Sequence, residues 1–246
     1  MSLQIIPVHI SKDIVLGDDL IELLLETRTG KGVKEGDILV FTQKIISKQE
    51  GRKIDLSEIK PALLATGIAS AYAKDPRIVQ LILDETKRII RMKNGIIISE
   101  THHGLVCANA GIDESNIEAG FATLLPKNAD TSAQKLRRRI KTRTGKNVAV
   151  IISDTFGRPF REGQTDTTIG VSGISSIIDY AGKHDNFNRV LRVTAIAIVD
   201  ELCSASELVR GKTLRTPIAI IRNYKFDKKN GTLKDLLRVK SLDLFR

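Results

Sequence analysis

Two segments of the chain gather side chains able to do chemistry: Gly104–Asn116, reading GLVCANAGIDESN, and Ser153–Gly170, reading SDTFGRPFREGQTDTTIG. In the second, Asp154 and the hydroxyl or carbonyl of Thr155 are hard oxygen donors of the kind magnesium and manganese take. Arg158 and Arg161 each present a planar fork that grips phosphate or carboxylate oxygens. The apolar run Val148–Ser153 leads straight into these residues, and the carboxyl end of a buried strand is where α/β proteins seat ligands. The competing reading is an aspartate that caps a turn, followed by two solvated arginines. In the first segment, alanine and glycine allow backbone to approach a ligand closely, and Asp113 and Asn116 offer a second group of oxygens. Alternatively, Asp113 or Ser115 caps a short helix starting near Ile117.

Two more segments bear on the same chemistry. Val199–Lys212, VDELCSASELVRGK, holds Asp200, Glu201 and Glu207. If it is helical, Ser204 and Glu207 lie one turn apart with Arg210 following on that face, although a plain solvated helix has the same composition. Thr42–Arg52, TQKIISKQEGR, carries Gln43, Lys44 and Lys48 after an apolar run. Its lysines suit either a polyphosphate or a charged sheet edge protected from aggregation. His102 and His103 are adjacent with no third ligand at zinc spacing, and read as loop residues. There is no GxxxxGK(S/T) phosphate loop and no GxSxG elbow, so any nucleotide is held by another architecture.

The elements that must position these groups alternate irregularly. Strands are predicted at Gln4–Ile10, Ile38–Thr42, Ile96–Ser99, Gly104–Cys107, Asn147–Ser153, Leu191–Asp200 and Ile218–Arg222, from β-branched or continuous apolar runs. Helices are predicted from Asp18 and Asp19 through Glu26, at Pro61–Ala73, Asp75–Met92, Thr131–Lys141 and Glu201–Val209, and at Leu233–Val239. Gly157 and Pro159 are expected to shape a loop after the Asn147–Ser153 strand. The fold class is α/β, or mixed α+β, without the regular spacing of a doubly wound sheet. The echo TRTGK, at Thr27–Lys31 and Thr142–Lys146, is explained by helix-end composition rather than duplication.

With 246 residues, 41% hydrophobic and 28% charged, the chain can bury a sizeable core as one unit or two small lobes. No apolar run approaches the roughly 20 residues that cross a bilayer, and no secretory signal opens the chain, so a cytoplasmic protein is expected. Cys107 and Cys203 suggest small, buried, reduced residues rather than a disulfide framework. The formal charge of +10 favours anionic partners. Its densest cluster, KLRRRIKTR at Lys135–Arg143, raises a nucleic-acid role as the rival reading, but aromatics at 4% and no tryptophan leave few stacking platforms. A lysine-rich, ion-paired thermophile surface would carry the same charge.

The two acid-bearing segments, DYAGK at Asp179–Lys183, and DELCSASELVRGK, in this order and at these intervals, resemble the coenzyme F420-0:L-glutamate ligase (F420 gamma-glutamyl ligase) family. The opening IIPVHI and GDD and the TQKIISKQEGR run fit as well, so the resemblance spans nearly the whole chain. It implies a GTP-dependent amide ligase that adds L-glutamate to the carboxylate of coenzyme F420-0 through an acyl phosphate, with further glutamates joined through γ-carboxylates. It also implies magnesium or manganese, in two sites, and potassium. By resemblance Asp113 and Asp154 hold one metal, and Thr155 and Glu207 a second. Around GTP it places Ser11, Lys12, Asp13, Ile14, Gln43, Lys44, Lys48, Asn116, Ala205, Ser206, Leu208, Val209, Arg210, Gly211 and Lys212. Arg158 or Arg161 would stabilise the transferred phosphoryl group or hold a substrate. The family fold is two-lobed, lacks a phosphate loop and forms an intertwined dimer. Phe160 stands where the family commonly has tryptophan, and no nitroreductase-like extension is expected after Arg246.

Overall fold

The computed structural model describes residues 2–243. The chain opens with strand β1 (Gln4–Val8) and helix α1 (Leu20–Glu26), whose cap Asp19 accepts from the amides of Ile21 and Glu22. A single turn, α2 (Arg28–Lys31), leads to β2 (Ile38–Thr42) and directly to α3 (Gln43–Gln49). Then come β3 (Lys53–Asp55), α4 (Leu63–Tyr72), α5 (Pro76–Asp84), β4 (Thr86–Lys93), β5 (Ile96–Thr101), β6 (Val106–Ala108) and β7 (Phe121–Thr123). Helix α6 (Ala129–Thr144) starts at the Asn128 cap and stops at Gly145, which takes the left-handed conformation. Strands β8 (Ala149–Arg158) and β9 (Arg161–Ser172) form a long hairpin. The short pair β10 (Ile178–Asp179) and β11 (Ala195–Ile196), helix α7 (Ile198–Arg210), β12 (Ile218–Arg222) and α8 (Leu233–Leu236) complete the chain.

The main sheet runs β1-β12-β2-β8-β9, and β2 with β8 is its one parallel pair. Its centre is continuously apolar because both faces are covered. On one face Leu39, Phe41, Val150 and Ile152 pack with α1 and α6; on the other Ile38, Val40, Ala149 and Ile151 pack with α7. A third core joins α4 and α5 to β5 and β7 through Ala65, Val79, Ile82, Ile97 and Ala122. Gly170 permits the tightest approach in the main sheet. A Cβ there would lie 2.4 Å from the Ala129 carbonyl carbon, so only glycine lets α6 press onto β9.

Several sequence expectations are corrected. The helix expected over Asp75–Met92 ends at Asp84, and Thr86–Lys93 instead pairs with the β-branched β5, because a waiting strand partner overrides helical periodicity. Of the strand expected over Leu191–Asp200, Ala195–Ile196 forms β11. Val199 and Asp200 already lie in α7, whose Ile198, Val199, Leu202 and Cys203 form a buried helical face. Thr42–Arg52 is mostly the helix α3, not a sheet edge. No helix begins near Ile117; Asp113 instead bridges Thr123 through its backbone. The loop expected after Ser153 is the β8–β9 hairpin, turned by Pro159 and Phe160. Among the described residues no helix is long and apolar enough to cross a membrane.

Candidate active site

Strand alternation sends consecutive residues of β8 to opposite faces of the hairpin. Ser153 and Thr155 face α7, where their cross-strand partners are Thr168 and Asp166. Asp166 is the hub of this face. Its carboxylate accepts from Thr155 Oγ1 at 2.6 Å, from Ser153 Oγ at 3.0 Å and from the buried guanidinium of Arg210, while its backbone carbonyl takes Ser204 Oγ at 2.9 Å. Arg210 also donates to Ser153 Oγ at 3.0 Å. Lys212 completes the group: its Nζ lies 2.6 Å from Thr155 Oγ1, 3.1 Å from Glu207 Oε1 and 3.6 Å from Asp166 Oδ1. Helical spacing explains why Ser204, Glu207 and Arg210 all reach this face, since they lie three apart on α7.

Asp154 points to the other face, toward the Asp113 turn. Burial pushes its carboxyl up to about 7, with the negative charges of Asp113 and Asp166 adding to that and a bond from the Thr155 amide opposing it. Asp113 is half-buried, and its carboxyl is held below the usual range, because desolvation, which raises it, is outweighed by bonds from Lys44 and Ser115. Lys44 Nζ is 2.7 Å from Asp113 Oδ2 and also donates to the carbonyl and hydroxyl of Ser115, at 2.5 and 2.8 Å. Lys48 donates to the Asn116 carbonyl at 3.3 Å, and burial pulls its ammonium pKa down against the pull of Asp13 and Glu118. Asn116 Nδ2 reaches the Lys212 carbonyl at 3.3 Å and so ties the two faces together at the rim.

The structure therefore brings Asp113, Lys44, Lys48 and Asn116 into one group, and Thr155, Glu207, Arg210 and Lys212 into another, with Asp154 electrostatically coupled to both. Other expected residues sit differently. Gln43 is buried and spends its amide on Ser47 Oγ and the Leu124 carbonyl, anchoring α3. Ser206 is buried and bonds the Cys203 carbonyl, while Leu208 is exposed. Ala205, Val209 and Gly211 line the last turns of α7. Ser11 accepts from Arg215 at 2.6 Å, Asp13 pairs with Arg215 at 3.6 Å, Lys12 pairs with Asp18 and Ile14 joins the core. Arg158 folds back onto the carbonyls of Glu162 and Gly163, and it stands with Arg161 at the hairpin tip, roughly 10 Å along the strand from Thr155. Cys107 and Cys203 are free and buried, and burial pushes the Cys107 thiol up to about 12. Sequence reading missed Asp166, Ser153 as its partner, and Ser204's bond to it. No local pattern marks them: Gln164–Thr168 is polar throughout, and only its pairing with β8 shows which of its residues share a face.

Among the described residues no three His, Cys, Asp or Glu side chains are gathered closely enough to hold a metal by themselves. The donor chemistry nonetheless fits cations. Lys212 brings a positive charge to Thr155, Asp166 and Glu207, and Lys44 brings one to Asp113, so oxygens on both faces already bind positive charge. The basic run on α6 is turned to other uses. Arg139 and Arg143 pair with Asp19 and Glu22, and Arg137 bonds the Val148 carbonyl.

An α/β sheet whose terminal hairpin carries carboxylates and ammonium groups on both faces, with no glycine-rich phosphate loop, defines a charged-substrate enzyme of its own class. A sequence model of F420-0:gamma-glutamyl ligase matches residues 10–223. The chain is 46% identical over 235 residues to the coenzyme F420:L-glutamate ligase of Methanothermobacter thermautotrophicus, covering 94% of this chain and 93% of that one. It is 47% identical over 215 residues to the protein of that name from Methanocaldococcus jannaschii, covering 87% and 86%, and 42% identical over 250 residues to that from Methanopyrus kandleri, covering 100% and 98%. The chain belongs to the F420-0:gamma-glutamyl ligase family.

Proposed function

We propose that this chain joins L-glutamate to coenzyme F420-0 in coenzyme F420 biosynthesis, spending GTP to activate the acceptor carboxylate. The observation that carries the reading is the pairing of oxygen donors with ammonium groups on both faces of the hairpin, in a chain that matches its relatives almost end to end. An amide does not form efficiently from a carboxylate and an ammonium group in water. The acceptor carboxylate therefore attacks the γ-phosphorus and GDP leaves; the α-amine of glutamate then attacks the acyl carbon, inorganic phosphate leaves, and the nitrogen gives up a proton as the C–N bond forms. Lys44, Lys48 and Lys212 supply positive charge for the triphosphate, and Asp166 holds Arg210 and Thr155 in place. Magnesium or manganese, held by Asp113 and Asp154 and by Thr155 and Glu207, would supply charge neutralisation during phosphoryl transfer. Potassium and a homodimer belong to the same reading; exposed apolar side chains such as Leu63, Phe187 and Val193 are the kind a subunit interface covers.

The test is direct. The protein is incubated with F420-0, L-glutamate, GTP and manganese, and products are weighed by mass spectrometry. Glutamyl additions that require GTP support the reading. No added mass, with an authentic ligase active in parallel, overturns it.

A further inference from the structure

The ammonium of Lys212 sits among three oxygens that come from three elements. Its Nζ lies 2.6 Å from Thr155 Oγ1 of β8, 3.1 Å from Glu207 Oε1 of α7 and 3.6 Å from Asp166 Oδ1 of β9. An ordinary surface ion pair joins one ammonium to one carboxylate. Here the acceptors are arranged as a group. Thr155 Oγ1 spends its proton on Asp166 Oδ1, so it turns a lone pair to Lys212, and the two carboxylates only accept. An ammonium and a divalent cation ask for the same thing, a set of oxygens with no donor among them.

The seat is fixed and its occupant is not. Asp166 is 3% exposed and is held by Ser153 and Arg210 as well as by Thr155. Of the two cations against it, Arg210 is sealed in at 1% exposure, whereas Lys212 is 59% exposed and lies beyond the end of α7 at Gly211. The Lys212 carbonyl accepts from Asn116 Nδ2 at 3.3 Å, which keeps its backbone at the rim while the flexible four-carbon stem can turn. Charge sets the occupancy. Asp166 and Glu207 already balance Arg210 and Lys212, and a divalent cation beside the ammonium would be repelled by it, so one seat does not hold both.

We propose that Lys212 is a displaceable plug: it fills a cation seat of the nucleotide-free protein, yields it to magnesium or manganese, and turns its ammonium to the triphosphate. Cation and nucleotide binding are thereby coupled through one side chain. The inference rests on the ligase reading and its assignment of Thr155 and Glu207 to a cation, and it adds Asp166 to that seat.

Two measurements test it, and neither is activity. In the first, free manganese is counted by electron paramagnetic resonance as it is titrated into nucleotide-free wild type, Lys212→Met and Lys212→Arg. Lys212→Met binds manganese about two- to fivefold more tightly, the worth of an exposed ion pair, and Lys212→Arg, which keeps the charge, stays near wild type. In the second, wild type is acetylated with acetic anhydride and Lys212 is read by peptide mass spectrometry against the exposed Lys225. Manganese alone raises Lys212 labelling about twofold, because the side chain is released to solvent, and a non-hydrolysable GTP analogue lowers it again. Circular dichroism checks folding; should Lys212→Met fail to fold, the labelling of wild type decides. Manganese that binds wild type without raising Lys212 labelling, labelling that does not fall with the analogue, or a folded Lys212→Met no tighter than wild type or than Lys212→Arg overturns the exchange and leaves the ligase reading intact. Manganese bound by neither wild type nor Lys212→Met, with or without the analogue, overturns the cation assignment and the exchange with it.

Discussion

Replacing Asp166 with asparagine should destabilise the protein out of proportion to the size of the change. The side chains of Asp166 and Arg210 are only 3% and 1% exposed, and Nε and Nη1 of Arg210 have no partner among the described residues. Apart from Glu207, 3.7 Å away, Asp166 is the countercharge that keeps a guanidinium inside the protein. Removing one member of a buried pair leaves the other uncompensated, at a cost of about 3–5 kcal/mol. For a chain of this size each kcal/mol moves Tm by roughly 2–4 °C, so a fall on the order of 10 °C is expected. Differential scanning calorimetry reads it. The double variant Asp166→Asn with Arg210→Met replaces the stranded cation by an apolar chain of similar length and should recover most of the loss, because the penalty comes from the unpaired charge. Ligation should stay impaired in the double variant, since the Thr155 hydroxyl has still lost its carboxylate. An Asp166→Asn protein within 1 °C of wild type, or a double variant no more stable than the single, would refute the account of the hub.

Asp154 gives the pH prediction. Its carboxyl is raised by folding from 3.8 to about 7, so between these values the native state binds more protons than the unfolded one and stability falls as pH rises. About three units at ~1.4 kcal/mol each set a ceiling of ~4 kcal/mol, and screening of this partly exposed residue reduces that to ~2. Asp154→Asn should therefore be more stable than wild type above pH 7, with the gap closing near pH 4 in urea titrations; a gap independent of pH would refute the burial argument. Added manganese should raise the Tm of wild type and not of Asp154→Asn, as follows for a ligand that binds only the folded state. If Lys212 binds the triphosphate as proposed, Lys212→Met should raise KM for GTP by about tenfold through loss of a charge-assisted contact, with little change in Tm because the side chain is exposed. Gly170→Ala should cost about 1–3 kcal/mol, since its Cβ meets the backbone of α6, and an unchanged Tm would contradict that packing.

Much of the sheet was legible in the sequence because its strands are continuous apolar runs: Ile38–Thr42 and Ile218–Arg222 fall where expected. The misplaced elements were those whose state depends on a partner. Thr86–Met92 reads as helix until β5 offers it an edge, and Arg161–Ser172, to which the pattern assigned no element, becomes a strand because β8 does. The acid residues were visible as types; the structure sets Asp154 with Asp113 on one face of the hairpin, and Thr155 and Glu207 around Lys212 on the other. Asp166 was not visible, since a single aspartate among threonines has no local signature; what makes it a hub is a cross-strand position and a guanidinium arriving from α7. Gln43 illustrates the converse: the family resemblance set it around the nucleotide, and its place in α3 turns the amide inward to Leu124.

A single irregularity decides which residues share a face. Pairing runs Ile151↔Val171 and Ile152↔Gly170, then jumps to Ser153↔Thr168, so Ile169 has no partner on β8. Directly paired residues point to the same side, so below the jump Val171 packs with Ile151 in the α7 core, and above it Thr168 and Asp166 face α7 as well. Without the extra residue, strict alternation that kept Val171 in its core would set Thr167 opposite Thr155 and turn Asp166 to the other side, next to Asp154. Arg210 would then be buried with Glu207 alone, and two already coupled carboxylates would become three on one face. Bulges beside active sites commonly re-aim a side chain in this way. Here the re-aiming separates the two acid groups: Asp154 looks to Asp113, Asp166 to Thr155 and α7, and one strand serves both sides of a site built without a phosphate loop.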